Sequence, residues 1–263
     1  MRKFFASALL ALFLLSCFSG AFAVIPDSNL KIFAVMDNGT AIDADLGLHI
    51  ESGNGMVWSS VRTLVGTSTQ TTERIAVELA KNYYNGVDGF DYKFDINSSA
   101  SLVEGPSAGA AMALLVISSL QDKRIPSDVG LTGTINSDGS IGPVGGVFEK
   151  SKKAAEIGVK LFMVPQGEAK QIVKLPAGVK SIDLTTYAEK EWGMRVVEVA
   201  NIDDALRLAF TDVADLPAPE SVPSLPDFVP KPLPANGNLV FMREINEDYI
   251  KQAESTINDA QTA

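Results

Sequence analysis

The sequence predicts a mixed α/β (α+β) domain over about residues 28–212, and three observations lead to it. β-like runs crowd residues 30–64, apolar positions at helical spacing follow, and short strand-like and helix-like segments then alternate as far as Phe210. With 46% apolar and 21% charged residues in a chain of 263, there is enough apolar material to close a core, and the composition is not that of a disordered polypeptide.

Residues 30–36 (LKIFAVM) and 41–50 (AIDADLGLHI) read as strands, and Asp37-Asn38-Gly39-Thr40 between them is a hairpin turn. Residues 55–64 (GMVWSSVRTL) read as a further strand. Ile75, Leu79 and Tyr83 stand four apart, which predicts a helix over 71–84. Residues 91–96 alternate, with Tyr92, Phe94 and Ile96 on one face, as a half-buried strand does. A loop ending in Gly105-Pro106 leads into an almost wholly apolar helix over 107–120. A strand is expected at 129–135 (VGLTGTI), a turn at Ser137-Asp138-Gly139-Ser140, a helix at 147–157 and a strand at 161–164.

The two ends have a different character. Met1-Arg2-Lys3, an uncharged apolar run over 4–18 and Ala21-Phe22-Ala23 form the pattern of a secretory signal over residues 1–23. Two alternatives stay open there: an uncleaved membrane anchor, and a lipoprotein box at Leu14-Leu15-Ser16-Cys17 with a lipidated Cys17. Each of the three places the following domain outside the cytoplasm, secreted or anchored to the cell envelope. Seven of the 13 prolines fall between Pro217 and Pro234, so residues 213–237 are expected to be an extended linker or strap. Beyond it, Met242, Ile245, Tyr249, Ala253 and Ile257 line one side of an amphipathic helix expected over 238–263.

Charge and composition narrow the function. The formal charge of −10 supplies no basic field for a phosphate backbone, so no nucleic-acid partner is expected. One Cys and one His exclude a thiolate cluster and a multi-histidine metal site, and neither a metal nor another cofactor is expected.

Two segments carry chemistry. In Val103-Glu104-Gly105-Pro106-Ser107-Ala108-Gly109, Ser107 stands where a loop becomes a helix, beside free backbone N–H groups. Taken alone, this is first the pattern of a helix cap and second that of an anion cradle. In the helix over 147–157, Glu149, Lys152, Lys153 and Glu156 form a solvated stripe, whereas Lys150 lines up with Val147, Ala154 and Ile157 on the apolar side. A lysine on that side either snorkels to water or is desolvated. Desolvation lowers its pKa, and a neutral amine beside Ser107 can take the hydroxyl proton as histidine does in a triad. His49, in the strand-like run LGLHIES, is read as a core or edge residue.

Residues 58–210 resemble the proteolytic domain of Lon proteases, serine peptidases with a Ser-Lys dyad. Gly-Pro-Ser-Ala-Gly-Ala-Ala at 105–111 is similar to the nucleophile segment, and Leu131-Thr132-Gly133 to the strand after it. Pro143-Val144-Gly145-Gly146-Val147-Phe148-Glu149-Lys150 is similar to the lysine segment, and Ala154-Ala155, Gly158-Val159-Lys160 and Val164-Pro165 continue the likeness. The resemblance implies the Lon proteolytic fold of the ribosomal S5 domain 2-like superfamily. It implies Ser107 as nucleophile, Lys150 as general base, Thr132 as the hydroxyl that orients the amine, and Glu104 in a supporting place. Thr134 stands where the family often has Glu, which bears on rim or subunit contacts.

Lon enzymes carry an ATPase module, and this sequence contains no Gly-x-x-x-x-Gly-Lys-Ser/Thr run. Together these imply ATP-independent hydrolysis of unfolded or flexible polypeptides; the resemblance suggests self-association into a ring, with the oligomeric state left open, and the N-terminal segment, if retained, implies membrane attachment. Two other readings stay open at this point: a phosphate or nucleotide binder of the same superfamily, and a protease-like scaffold whose site the strap or the last helix occludes.

Overall fold

The computed structural model describes residues 25–60, 62–175 and 178–216. The signal or anchor expected at 1–23, the strap from residue 217 onward and the helix expected at 238–263 lie outside the described residues.

Strands β1 (Ser28–Val35) and β2 (Ala41–Ser52) form the expected antiparallel hairpin, closed by Met36 N–H to Thr40 O at 2.9 Å. The run at 55–64 does not stay one strand. It gives β3 (Val57–Ser59) and β4 (Leu64–Val65), because its two ends pair with different neighbours. Helix α1 (Thr67–Ala80) begins and ends about four residues earlier than the apolar spacing predicts. Its first turn, Thr67-Ser68-Thr69-Gln70, has no apolar residue and so gives no periodic signal. The buried face is made of Thr69, Thr72, Glu73, Ala76, Val77, Leu79 and Ala80, while Ile75 is only half-buried.

Strand β5 (Phe90–Ser98) pairs antiparallel with β2 and parallel with β3, so the first sheet has the order β1-β2-β5-β3. Leu46, Leu48 and Ile50 of β2 and Tyr92, Phe94 and Ile96 of β5 point into the core, as the period of two requires. Strand β6 (Leu102–Val103) lies parallel to β4 and leads straight into Glu104 and Gly105. A 3₁₀ turn over Pro106–Ala108 comes next, and helix α2 (Gly109–Leu120) follows it. Every residue of α2 is buried, which its nearly unbroken apolar sequence requires.

The run at 129–135 is likewise divided, into β7 (Val129–Leu131) and β8 (Thr134–Ile135), with β8 joined by a hairpin to β9 (Ile141–Gly142). Helix α3 (Val147–Glu156) precedes β10 (Leu161–Pro165), and the hairpin of β11 (Lys170–Leu175) and β12 (Gly178–Asp183) follows. Then come α4 (Leu184–Trp192), β13 (Arg195–Val199) and α5 (Ile202–Ala209). Asp183 caps α4 by accepting from Thr185 N–H, and Asn201 caps α5 by accepting from Asp204 N–H. Strands β7, β10 and β13 form a parallel sheet with β10 in the middle. The packed domain runs on to Leu216, which is buried against the first core after a 3₁₀ turn at Val213–Asp215.

Two apolar clusters result. The larger joins the inner face of the four-stranded sheet to α1, α2, α5 and β7. The smaller gathers Val147 and Ala154 of α3, Leu184 and Ala188 of α4, and Phe162 and Val196 of the parallel sheet. Phe33 of β1 belongs to the second cluster while Ile32 belongs to the first, so β1 is buried on both faces. Phe33 meets Phe162 edge-on with ring centroids 5.2 Å apart. Among the described residues no helix is long and apolar enough to cross a membrane.

Helix α2 approaches its neighbours most closely at Gly109. A Cβ there would stand 2.7 Å from Thr72 Cγ2 of α1 and 2.8 Å from Ile135 Cγ2 of β8. Gly109→Ala is therefore expected to lower stability by about 1–3 kcal/mol through overpacking, read as a lower urea midpoint at unchanged m-value.

Candidate active site

The segment around Ser107 is shaped by one backbone conformation. Gly105 has φ +116° and ψ 152°, a region that side chains other than hydrogen rarely enter. Pro106 then starts the 3₁₀ turn, where its fixed φ fits and its missing N–H is not needed. Ser107 thus lies in the 3₁₀ turn and not in the first turn of α2, as the sequence pattern alone suggests. It is half-buried, and among the described residues its hydroxyl has no hydrogen-bond partner. The first N–H groups of such a turn have no carbonyl within it to pair with, which leaves the amides of Ser107 and Ala108 facing out of the turn's own bonding.

Lys150 is placed by α3. Its N–H donates to Gly146 O at 2.9 Å, and the helix buries Val147, Lys150, Ser151 and Ala154 along one side. Ile157, expected to extend this side, is exposed, because the helix has ended at Glu156 and Ile157 is already its C-cap. The solvated stripe is confirmed in part: Lys152 and Glu156 are exposed, while Lys153 reaches Asp43 of β2 at 3.4 Å. Lys150 is 3% exposed. Snorkelling is thereby excluded, and burial pulls the amine's pKa down from 10.5 to about 8.

Thr132 stands in the break between β7 and β8, 1% exposed. Its N–H continues the ladder to Met163 O of β10 at 3.1 Å, after which Gly133 turns and donates to Ser107 O at 3.0 Å. The Thr132 hydroxyl donates to the same Ser107 carbonyl at 3.3 Å and accepts from Lys150 Nζ at 3.4 Å. Serine, threonine and lysine are therefore brought together, with the threonine as the link. The amine reaches the serine's backbone through Thr132 and makes no direct hydrogen bond to the Ser107 hydroxyl.

Glu104 lies elsewhere. Its carboxylate accepts from Ser68 N–H at 3.2 Å and from the Ser68 hydroxyl, which places the negative charge at the N-terminus of α1. It makes no hydrogen bond to Ser107, Thr132 or Lys150. Its support is given to the loop before Ser107 and not to the amine. His49 is on the outer face of β2, its ring nitrogens paired with Asp27 at 2.6 Å and Glu51 at 3.3 Å. The hydrogen bond to Asp27 is the main cause that raises its pKa, and neither nitrogen is left over for Ser107. Among the described residues no group of three or more His, Cys, Asp or Glu is placed to hold a metal ion.

Ser68 and Thr69 were not singled out from the sequence. Ser68 Oγ accepts from Gly105 N–H at 3.0 Å, and the Thr69 hydroxyl donates to Gly105 O at 3.1 Å. Only the true start of α1 at Thr67, one residue ahead of Ser68, could have drawn attention to them.

Burial of Lys150 has a thermodynamic signature. Below about pH 8 the amine is charged in both folded and unfolded chains, and the folded state bears the full desolvation penalty. Between about 8 and 10.5 the folded protein loses the proton first, so this contribution to stability improves as pH rises. A fall from 10.5 to about 8 corresponds to about 3 kcal/mol against the ammonium form. Lys150→Met is expected to raise stability at pH 7 by about 1–3 kcal/mol, with the advantage shrinking towards pH 10 in urea titrations run at each pH.

A profile of the Lon protease (S16) C-terminal proteolytic domain matches residues 65–211. The chain is 32% identical to a Lon protease of Trichlorobacter lovleyi over 131 residues, which are 49% of this chain and 15% of that protein. It is 34% identical to Lon protease 2 of Bacillus subtilis over 105 residues, 40% of this chain and 19% of the relative. It is 30% identical to the peroxisomal Lon protease homolog 2 of Arabidopsis thaliana over 126 residues, 48% of this chain and 13% of the relative. The matched region thus spans less than a fifth of each of these relatives.

Proposed function

Since the chain belongs to the Lon protease (S16) proteolytic-domain family, we propose that it is a serine-type endopeptidase whose nucleophile is Ser107 and whose general base is Lys150. One observation carries the reading: a lysine amine buried to 3% exposure, its pKa brought down to about 8, rests on a threonine that also bonds the carbonyl of Ser107. At pH 7 an amine of that pKa is neutral in about one molecule in ten, against about one in 2,500 for a free lysine.

In the first half-reaction the neutral Lys150 amine accepts the Ser107 proton as Oγ attacks the substrate carbonyl. The bond from carbonyl carbon to leaving nitrogen then breaks, and the ammonium returns its proton to that nitrogen, leaving an acyl-Ser107 ester. Water attacks the ester with the same amine as base, restoring Ser107 and releasing the carboxylate. The unpaired amides of Ser107 and Ala108 are the donors for the oxyanion. Proton transfer requires amine and hydroxyl at about 3 Å, a contact that closes when substrate displaces the amine from its long bond to Thr132. Thr132 returns the amine to one orientation between turnovers.

Substrates are unfolded or flexible polypeptides, and hydrolysis by this domain proceeds without ATP. The secretory pattern of residues 1–23 supports an extracytoplasmic place of action. Self-association into a ring is the quaternary form that the family likeness favours.

Degradation of an unfolded protein by the full chain is expected to be abolished in Ser107→Ala, in Lys150→Ala and in Lys150→Arg, since guanidinium does not give up its proton. Equal activity in wild type and Ser107→Ala would refute the assignment. kcat/KM is expected to rise about tenfold per pH unit up to about 7, and to level off above about 9, as the amine loses its proton.

A further inference from the structure

We infer that Ser68 and Thr69, at the start of α1, are positioning residues that set the nucleophile turn of this peptidase; the inference rests on the serine-peptidase reading above. The peptide groups on either side of Gly105 are both held from α1. Ser68 Oγ accepts from Gly105 N–H at 3.0 Å and donates to the Glu104 carboxylate, which also takes Ser68 N–H at 3.2 Å. The Thr69 hydroxyl, on a residue 1% exposed, donates to Gly105 O at 3.1 Å. Two residues earlier on each segment, Gly66 N–H donates to Val103 O at 3.0 Å.

These bonds act on the one residue whose conformation needs holding. Glycine at φ +116° is free to leave that region, because no side chain confines it. What fixes Gly105 is the pair of hydroxyls, one on its N–H and one on its C=O. Ser107 is two residues on, with Pro106 the stiff joint between them, so a rotation at Gly105 is carried directly to the Ser107 amide and hydroxyl. On the other side of the turn, Thr132 and Gly133 hold Ser107 O. Ser68 and Thr69 thus locate the turn from its entrance, and Thr132 and Gly133 locate it from its exit.

Neither residue hydrogen-bonds Lys150, so losing them should disturb geometry and leave proton affinity alone. Reactions that need near-attack alignment lose about 10²-fold from an ångström of misplacement. For the full chain acting on an unstructured peptide, Thr69→Val, which keeps shape and removes the donor, is expected to lower kcat at least tenfold with KM within twofold. Thr69→Ser should restore kcat to within threefold of wild type, and labelling of Ser107 by a fluorophosphonate should follow kcat. The pH midpoint of kcat/KM should stay at the wild-type value. Thr71→Val, which removes a hydroxyl bonded only to Thr67 O in the same helix, should leave kcat unchanged.

A wild-type kcat in Thr69→Val, a loss confined to KM, or a loss that serine does not rescue would overturn the inference. A second measurement judges it apart from activity: amide hydrogen exchange over residues 103–109, in variants shown to be folded by their thermal transition. Exchange is expected to quicken there in Thr69→Val and in Ser68→Ala, and unchanged exchange would overturn the inference. If wild type neither cleaves peptide nor is labelled at Ser107, the peptidase reading falls, and exchange alone then decides whether α1 holds the turn.

Discussion

The fold keeps one amine out of water and, among the described residues, gives it no counter-ion. Lys150 is buried, and desolvation is the cause that moves its pKa, downward. The contrast within the same protein is instructive. Lys31, on β1, lies 2.8 Å from Asp45 and 3.0 Å from Asp43, and the hydrogen bond to Asp45 leads the causes that raise its pKa. A lysine retained for structure is paired in this way, because an unpaired buried ammonium destabilises the fold. Lys150 has a neutral threonine hydroxyl instead, at 3.4 Å. A perturbed group whose perturbation nothing offsets is the pattern that sites of chemistry show more often than packing does.

The surrounding architecture explains how that state is maintained. The second apolar cluster surrounds α3 with α4, β1 and the parallel sheet, so Val147 and Ala154 are driven inward and carry Lys150 with them. The helix cannot turn to release the amine without exposing both apolar neighbours and breaking the contact of Lys153 with Asp43. Removing two such side chains from the core would cost a few kcal/mol, comparable with the penalty on the buried amine. The opposing terms are of similar size, and packing of the whole α3 face decides the outcome.

How much of this was legible in the sequence depended on how local the cause was. Alternation of Leu46, Leu48 and Ile50, and of Tyr92, Phe94 and Ile96, is a property of each strand by itself, and both strands form as read. Lys150 could be found because its neighbours at helical spacing are apolar. Residues 129–135 read as one strand because nothing local shows that Thr132 is the last to pair with β10 before the chain turns at Gly133 towards Ser107. The start of α1 was missed for a related reason: its first turn is polar and is stabilised by Glu104, 36 residues away. Glu104 itself was noticed by its nearness to Ser107 in sequence, while its carboxylate serves α1, a relation visible only in three dimensions. Residues 1–23 and the stretch beyond Leu216 lie outside what the structure describes.

The two halves of the proposed dyad come from different cores, which leaves their alignment to the short segment between. Ser107 enters with α1 and α2, in the larger cluster, and Lys150 enters with α3, in the smaller. Thr132 and Gly133 join them. Thr132 N–H is fixed to β10, Gly133 N–H and the Thr132 hydroxyl to Ser107 O, and Gly133 O accepts from Ala110 N–H of α2 at 3.0 Å. Had residues 129–135 continued as one strand, Gly133 N–H and C=O would have been used in the ladder and Ser107 O would have lost its backbone donor. The break in the strand is therefore what sets the nucleophile turn and the amine in one frame, and the threonine at the break is within reach of both.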